Sequence, residues 1–433
     1  MKTRRQFLHS SFMGAATLWT LPSFLNHTIM QMDLHAADSL TQVSTGKDGR
    51  ILVVLQMGGG NDGLNTVVPY SNDAYYAARS SLGIKADSVL KLNEHLGLHP
   101  KLTGLKNLHD SGHLALLNGV GYPNPNRSHF RSMEIWHTAS DSDKNEHYGW
   151  LGRYFDNTCQ GQPKADPAIG IDISSMPRQA FLGPQPLGIA LANADRYRFL
   201  ESVENSASPL MASADSSEIA GTNSGSSIEN LGYSSSESNG MSNLDFLQRT
   251  ALDAELSSQE IRGISSNYKS KVSYPRNRLG SDLQLIAKLI GGGLPTRVYY
   301  ANQGGYDTHA NQLGSHERLM DELSSALSAF VADLKEQGNF DRVLIMTFSE
   351  FGRRVKENAS RGTDHGVAGP MFLLGGQIKP GIHSDYPSLT DLDKGDLKHR
   401  VDFRSVYATV LENWLQTKSD PILKKSFPKI NFI

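Results

Sequence analysis

Short apolar runs, separated by much longer polar and amphipathic stretches, constrain the fold of this chain more than any other feature. The runs are residues 50–56, 114–121, 297–300, 342–348 and 371–375. Such runs are typical of strands buried on both faces of a parallel sheet. Residues 313–334 and 403–415 instead repeat apolar side chains at helical spacing, which predicts amphipathic helices. We therefore predict an α/β fold, a doubly wound, mostly parallel sheet with helices on both faces.

Length, charge and cysteine content exclude several classes of protein. At 433 residues the chain is long enough for one large α/β domain or two ordinary ones. The formal net charge is −2, so no basic surface is expected to gather nucleic acid. The single cysteine, Cys159, excludes a disulfide within the chain and a structural zinc site built from cysteines.

The N-terminus has the features of an export signal. Arg4 and Arg5 precede a Phe-Leu pair, and an uncharged apolar stretch follows. This order is typical of the twin-arginine route, with a short basic helix as the alternative. We therefore expect a signal peptide over 1–37, the twin-arginine export machinery as a partner, and a periplasmic or secreted domain over 38–433. No later run approaches about 18 apolar residues, so we expect no transmembrane span in the mature chain.

Residues 203–243 break the alternation of strands and helices. Ser, Asn, Gly, Ala and Glu dominate them, and they offer little apolar surface to offset the entropy of chain ordering. We predict a disordered Ser-rich insertion within the domain, without a catalytic role.

Two polar clusters follow the first two predicted strands. Asp62 stands in a glycine-rich string where its carboxylate can bind a divalent cation, with a plain Gly-Asn-Asp-Gly turn as the alternative. Ser128 lies between Arg127 and His129, where a hydroxyl can act as a nucleophile while the arginine holds an anion. Ser128 also suits a helix N-cap, and the two roles are compatible because a helix N-terminus favours anions.

Two further clusters flank the later strands. Asp307 and His309 stand two residues apart on a loop and can bind one metal, although a capping Asp beside a solvated His is the alternative. Glu350 follows the run at 342–348, and Asp364 and His365 precede the last run, where a surface loop is the alternative. Because the carboxyl ends of parallel strands share one edge, we expect these side chains to converge in one crevice.

Six short strings, in a fixed order between about residue 50 and residue 415, identify a family. They are residues 59–69, 128–130, 149–153, 305–309, 347–353 and 362–366. Through them the chain resembles the twin-arginine-exported proteins of the domain of unknown function numbered 1501. That family has no settled activity to carry over to this chain.

The family resembles, more distantly, the alkaline phosphatase and sulfatase superfamily, which holds one or two metals at the strand ends of a doubly wound sheet. The resemblance implies that Ser128 is the nucleophile, and that Asp402 echoes the Asp that opens the closing helix in sulfatases. It implies metal ligands at Asp62, Asp307, His309 and His365. Ser349 and Glu350 stand where the superfamily usually has an Asp-His pair, which removes an imidazole.

The leading hypothesis is an exported metal-dependent hydrolase of phosphate or sulfate esters, or a degenerate relative of one. In it Ser128 attacks, Arg127 or Arg353 holds the anion, and the ester belongs to a small molecule or a polysaccharide. The metal is a divalent ion, and zinc, manganese, magnesium and calcium all stay open. Its expected ligands are Asp62, Asp307, His309, Glu350, Asp364 and His365.

Two alternatives to this hypothesis stay open. One is a non-catalytic exported binding or assembly protein that kept the fold and lost a second metal. The other uses Asp364, His365 and Glu350 as general acid and base on a saccharide, although the sequence lacks the aromatic-rich pattern of a saccharide groove.

Overall fold

The predicted apolar runs form strands in the computed structural model, which describes residues 49–158, 167–184, 188–192, 259 and 261–433. The strands are β1 (Ile51–Gly58), β2 (Val67–Val68), β3 (Leu90–Lys91), β4 (Gly97–Leu98), β5 (Leu114–Gly121), β6 (Gly170–Asp172), β7 (Ile189–Ala190), β8 (Val298–Gly304), β9 (Val343–Phe348), β10 (Gly369–Leu374), β11 (Gly381–Ile382), β12 (Leu392–Asp393), β13 (Asp396–Leu397) and β14 (Val401–Asp402). The short strands β6 and β7 have no counterpart among the predicted runs.

Helices occupy most of the connections between the long strands. The labelled α-helices are α1 (Gly63–Thr66), α2 (Asp73–Ala78), α3 (Thr103–Asp110), α4 (His129–Thr138), α5 (Trp150–Thr158), α6 (Arg278–Gly291), α7 (Gln312–Glu336), α8 (Phe403–Thr409) and α9 (Asp420–Leu423). Residues 261–267 are also helical. Short 3₁₀ turns lie at Pro167–Ile169, Gln179–Phe181 and Phe340–Arg342, and a π-helix covers Val410–Trp414.

One large sheet forms the centre, with its strands in the order β11-β5-β10-β9-β1-β8-β6-β7 and with β14 beside β5. The first strand of the chain is central and pairs in parallel with β8 and β9. Strand β10 is antiparallel to both of its neighbours, and the other pairs are parallel. The predicted doubly wound, mostly parallel α/β fold is confirmed.

Helices cover both faces of this sheet, each over its own apolar core. Alternate residues of β1 point to opposite faces, so that Ile51, Val53 and Leu55 join one core and Leu52 and Val54 join the other. Helices α3, α6 and α7 close the first core. Helices α4, α5 and α8 close the second, which is rich in aromatic rings.

The direction of β10 explains why one predicted cluster reaches the same edge as the others. Parallel strands β1, β5, β8 and β9 present their carboxyl ends at one edge of the sheet. Because β10 runs the opposite way, its amino end lies there too, and the loop before it carries Asp364 and His365. The polar clusters therefore meet at one edge, as the sequence predicts.

The two predicted amphipathic helices are present with small differences in their ends. Helix α7 covers its predicted stretch, and Gly338 follows it with a φ of 71°. The second stretch is helical from Phe403, but it continues as a π-helix from Val410. Asp402 opens this helix as its N-cap, since its side chain accepts the Arg404 backbone N–H.

Three features discussed from the sequence lie outside the described residues. They are the predicted signal peptide over 1–37, Cys159, and the Ser-rich segment over 203–243. Among the residues that the structure does describe, no helix combines the length and apolar character needed to cross a bilayer.

Candidate metal centre

Three histidines and one aspartate meet at the carboxyl edge of the sheet. His129 begins α4, Asp307 and His309 follow β8, and His365 precedes β10. Oδ1 of Asp307 lies 3.2 Å from Nε2 of His365 and 3.0 Å from Nε2 of His309, while Oδ2 lies 3.5 Å from Nε2 of His129. The Nε2 atoms of His309 and His365 are 2.9 Å apart. We call these four residues the histidine cluster.

Two of the histidines are oriented by hydrogen bonds of Nδ1, the ring nitrogen that faces away from the cluster. Nδ1 of His129 lies 2.9 Å from Oε1 of Glu350, and Nδ1 of His365 lies 2.8 Å from the carbonyl oxygen of Arg127. Because these oxygens only accept, each Nδ1 carries the hydrogen, and each inward Nε2 keeps its lone pair when the ring is neutral. An imidazole held in this way is typical of a metal ligand.

His309 is the most exposed histidine of the cluster. Its side chain is 46% exposed, and its Nδ1 lies 3.4 Å from Oδ1 of Asp364. The Asp364 carboxylate also accepts a hydrogen bond from Asn358, and this bond lowers the pKa of Asp364. Asp364 therefore lies behind His309 and contacts its outer nitrogen.

Glu350 is a buried residue that contacts the cluster through His129. Its side chain is 2% exposed, and its Oε1 accepts both the His129 ring hydrogen and the Gly59 backbone N–H at 2.8 Å. The Ser349 hydroxyl lies 3.3 Å from the other carboxylate oxygen. Predicted as a metal ligand, Glu350 is placed instead as the carboxylate that orients His129.

The charge of the cluster is set by Asp307 and its neighbours. Burial raises the pKa of Asp307, but hydrogen bonds from Arg353 and His365 lower it by more, to about 2. Burial lowers the pKa of His365 below its usual value. At neutral pH the cluster therefore contains a carboxylate and a His365 ring that favours its neutral form.

The donor atoms fit a divalent metal ion. Nε2 of His129 is buried and makes no hydrogen bond with any described residue. The ligand atoms of His129, Asp307 and His365 all lie within 4.8 Å of one another. The Nε2 atoms of His309 and His365 form a hydrogen bond when His309 carries its hydrogen on Nε2, and both present a lone pair to a cation when each ring carries its hydrogen on Nδ1. Three imidazoles and one carboxylate suit zinc or manganese better than magnesium or calcium, which prefer oxygen ligands.

Asp62 lies outside the histidine cluster. Its buried carboxylate accepts hydrogen bonds from Arg79 at 2.6 and 3.0 Å and a third from Gln312. Burial raises the pKa of Asp62, but Arg79 and its hydrogen bonds lower it by more, so the pKa lies below its usual value. Predicted as a metal ligand, Asp62 is placed as the partner of a buried arginine, because α2 brings Arg79 beneath the loop after β1.

Gln312, the first residue of α7, connects this buried ion pair to the cluster. Its Nε2 donates to Asp62, and its Oε1 accepts hydrogen bonds from the hydroxyls of Thr308 and Thr363 at 3.1 and 2.6 Å. The two threonines belong to the two loops that carry the ligands after β8 and before β10. Asp62 therefore contributes to the position of these loops through Gln312.

Arg353 also holds these loops together through hydrogen bonds. Its guanidinium is buried and donates to Asp307 at 2.8 Å. Its other acceptors are the carbonyl oxygens of Gly59, Gly60, Tyr306 and Thr363. These bonds use all three of its nitrogens inside the protein. Predicted to hold a substrate anion, Arg353 is placed as a clamp between the loops after β1 and β8 and the loop before β10.

Arg127 and Ser128 lie side by side at the start of α4. The Arg127 guanidinium is ion-paired with the buried carboxylate of Asp396. Ser128 is the N-cap of α4, but its side chain makes no capping hydrogen bond and is exposed. The hydroxyl predicted as a nucleophile thus stays open to solvent, directly before His129. The next residue, Phe130, is 90% exposed.

His129 is the member of the cluster that sequence reasoning missed. The sequence assigns the functional role in the string at 128–130 to Ser128 and treats the histidine as its neighbour. A signal was available, because His129 follows a predicted strand and stands at the start of a helix, where the other clusters also lie. Of the predicted ligands, the structure brings Asp307, His309 and His365 together, and adds His129 to them.

The family model with the description "Protein of unknown function (DUF1501)" matches residues 50–416. The chain belongs to this family. The match confirms the resemblance that the six sequence strings predict. No curated protein matches the sequence. Because the family description names no activity, the function has to be inferred from the site.

Three of the solved structures similar to this chain are a periplasmic domain, a sulfatase and a protein of the alkaline phosphatase superfamily. The zinc complex of the C-terminal periplasmic domain of EcEptC from Escherichia coli is 8% identical, with a TM-score of 0.32 and coverage of 76% of this chain and 73% of that chain. The PsFucS1 sulfatase from Pseudoalteromonas sp. is 11% identical, with a TM-score of 0.34 and coverage of 83% and 70%. A protein in the alkaline phosphatase superfamily from Vibrio parahaemolyticus is 10% identical, with a TM-score of 0.31 and coverage of 78% and 62%. Likenesses this weak carry no argument about chemistry.

Proposed function

We propose that this chain is a metal-dependent hydrolase of phosphate or sulfate esters that works outside the cytoplasm. The observation that supports it most is the convergence of His129, Asp307, His309 and His365 at the carboxyl edge of the sheet. Ligands in doubly wound sheets bind at this edge. Nε2 of His129 adds to the support, because this buried nitrogen makes no hydrogen bond with any described residue and faces the Asp307 carboxylate at 3.5 Å.

The residues around the cluster suit ester hydrolysis. A divalent ion bound there supplies Lewis-acid polarisation of an ester oxygen. Ser128 is the proposed nucleophile, since its hydroxyl is exposed and precedes His129. It stands at the amino end of the ten-residue helix α4, whose unpaired N–H groups favour an anionic ester. Glu350 and the Arg127 carbonyl keep two of the imidazoles oriented.

The proposal is tested by separating metal binding from turnover. Metal content is measured on protein purified without added metal, and hydrolysis is measured with p-nitrophenyl phosphate and p-nitrophenyl sulfate. His365→Ala is expected to lose both the metal and the turnover. Ser128→Ala is expected to keep the metal and lose at least about a hundredfold in kcat. Ser88→Ala, at another exposed serine, is the matched control and keeps both.

Two results would overturn the proposal. Wild-type protein without a stoichiometric divalent metal excludes the metal centre. Ser128→Ala with wild-type turnover excludes the nucleophile, even where the metal is bound.

A non-catalytic metal-binding protein is the second candidate function, and the placement of two arginines favours it. Arg353 makes its bonds inside the protein, so it is not free to hold a substrate anion as predicted, and Nη2 of Arg127 is already paired with Asp396. Stoichiometric metal together with no turnover of either ester supports this second function over the hydrolase.

Export by the twin-arginine route is part of the proposal. It is supported by Arg4 and Arg5 before an apolar stretch. Twin-arginine export carries proteins that have already folded, which suits a metal centre assembled before export. The localisation that follows is periplasmic or secreted.

A further inference from the structure

A second polar cleft lies at the other end of α4, away from the histidine cluster. Its volume is about 190 Å³. The cleft is lined by Thr138, Ala139, Ser140, Asp141, Lys144, Glu146, Arg153, Arg404, Leu423, Lys424, Lys425 and Phe427. Thr138 follows His129 by nine positions in α4, which is about 13.5 Å along a helix axis. The cleft is therefore distinct from the metal centre.

Positive charge predominates around this cleft. Lys144, Arg153, Arg404, Lys424 and Lys425 line it, against two carboxylates. Asp402 lies outside the lining but pairs with Arg404, so five cations and three anions leave an excess of two positive charges. The chain as a whole carries a formal net charge of −2, so this excess is a local feature. A concave site lined by one sign of charge concentrates ligands of the opposite sign.

One of the two carboxylates is shared among three cations. Asp141 is ion-paired with Arg404, and it lies 3.4 Å from Lys144 and 3.9 Å from Lys425. The side chains of Lys144 and Lys425 are 64% and 62% exposed, so both can turn towards a bound anion.

Arg153 gives an independent reason to expect an anion. Its guanidinium donates to the carbonyl oxygens of Thr138, Tyr148 and Ile422. No carboxylate of the described residues lies within ion-pairing distance of it, and burial lowers its pKa to about 10. Because its three nitrogens already donate to carbonyl oxygens, Arg153 contributes positive charge to the cleft rather than a new hydrogen bond. Glu146 offsets only part of the cost of burying this charge, and an anion in the cleft offsets more of it.

The volume of the cleft and the aromatic ring on one of its sides limit the size of the anion that it can bind. Ligand pockets commonly hold about 300–1,000 Å³, so this cleft suits a small ligand or one group of a larger ligand. Phe427 closes one side, with the Arg404 guanidinium 4.6 Å from its ring centroid. We propose that the cleft binds a tetrahedral oxyanion that carries up to two negative charges, either free phosphate or sulfate or the phosphate group of a monoester.

Calorimetric titration at constant ionic strength tests this proposal. The protein carries His365→Ala, so that anion binding at the metal centre does not contribute. Inorganic phosphate, sulfate and glycerol 3-phosphate are titrated separately, with chloride as the reference anion. Lys144→Gln combined with Lys425→Gln is expected to raise the Kd for phosphate at least tenfold, because charge-assisted hydrogen bonds are lost. Lys429→Gln, whose ammonium pairs with Glu412 outside the cleft, is the matched control.

The titrations distinguish a free anion from an ester, and they also show whether the proposal fails. Tighter binding of glycerol 3-phosphate than of phosphate assigns the cleft to an ester, and equal or weaker binding assigns it to the free anion. Absence of binding above the chloride reference overturns the proposal. A Kd that is the same with and without the two lysines also overturns it. None of these results depends on whether the histidine cluster hydrolyses esters.

Discussion

At the scale of single residues, a metal site depends on the outer nitrogen of each histidine as much as on the inner one. Nδ1 of His129 is fixed by Glu350, and Nδ1 of His365 by the Arg127 carbonyl. These contacts select the tautomer that leaves Nε2 available to a metal. Glu350 is the more important of the two to test, because it is a buried charge that a substitution can remove.

Glu350→Gln is expected to weaken metal binding by about 10–100-fold, the usual cost of losing a partner of a ligating histidine. The amide keeps the shape of the side chain but is a weaker acceptor for the His129 ring hydrogen. The Kd is measured by competition with a metal-sensitive dye. Glu357→Gln is the matched control, since Glu357 accepts the backbone N–H groups of Ser81 and Leu82 away from the cluster. Equal affinity in the two variants contradicts the assigned role.

Asp62→Asn is expected to lower stability while leaving the metal stoichiometry unchanged. The substitution leaves Arg79 as an unpaired buried cation, which costs about 3–5 kcal/mol in the free energy of unfolding. Urea unfolding and metal analysis measure the two effects. Asp110→Asn, which breaks the exposed pair with Lys106, is expected to cost about 0.5 kcal/mol or less. A complete loss of metal in Asp62→Asn would restore the ligand role that the sequence predicts.

At the scale of elements, the cluster depends on how closely two loops approach. The loop after β8 carries His309, and the loop before β10 carries Gly362, Asp364 and His365. Thr363 N–H donates to the Thr308 carbonyl oxygen at 3.2 Å, so the two backbones run side by side. Gly362 permits this approach, because a Cβ there would lie 2.2 Å from the His309 carbonyl carbon.

Gly362→Ala is therefore expected to push the two loops apart and to weaken metal binding at least tenfold. The same dye competition measures the affinity, and thermal unfolding without metal measures stability. Gly263→Ala is the matched control, since a Cβ there meets nothing within 4 Å. Residues 261–267 are helical, so alanine at 263 is expected to be neutral or slightly stabilising. An affinity in Gly362→Ala equal to that of the control contradicts the steric argument.

At the scale of the whole molecule, a polar group sealed between the sheet and a helix makes stability depend on pH. His137 is buried in α4, with its Nε2 3.1 Å from the Tyr300 hydroxyl of β8. Burial lowers the pKa of His137 to about 3. The unfolded chain takes up this proton near pH 6.5, whereas the folded protein does so only near pH 3. Its contribution to stability is therefore complete above pH 6.5 and declines as the pH falls towards 3.

His137→Gln is expected to make stability less dependent on pH between 6.5 and 4.5. One such histidine changes the free energy of unfolding by at most about 1.4 kcal/mol per pH unit. The variant lacks this contribution to the pH dependence. Urea unfolding at the two pH values measures the change, with His147→Gln at an exposed histidine as the control. Equal pH dependence in His137→Gln and wild type contradicts a neutral buried ring.

Export of the whole chain is tested at its N-terminus. Arg4→Lys combined with Arg5→Lys keeps the positive charge but removes the arginine pair. The double variant is expected to disappear from the periplasmic fraction and to accumulate in the cytoplasm. Immunoblots of cell fractions measure this. Lys2→Arg, outside the pair, is the control and leaves export intact. Normal periplasmic levels of the double variant contradict the twin-arginine assignment.

The sequence by itself determined the class of fold and the edge of the sheet where the site lies. Long apolar runs predict strands buried on both faces, because every residue of such a strand contacts the core and is therefore apolar. The run at 114–121 coincides with β5, and the amphipathic stretch at 313–334 lies within α7. Short strands such as β6 and β7 were not predicted, because two or three residues are too few to show a periodicity.

Only the tertiary structure decided which charged groups face a metal and which face each other. Asp62 and Asp307 both follow parallel strands, yet Asp62 pairs with Arg79 from α2, whereas Asp307 faces His129, His309 and His365. The direction of β10 was decided in the same way, and it brings His365 to the shared edge. The partners lie far apart in the chain, and Arg353 and the Gly59 carbonyl, for example, are 294 residues apart. The sequence names the residues, but the energy of an ion pair or a metal ligand depends on distances that only the packed chain sets.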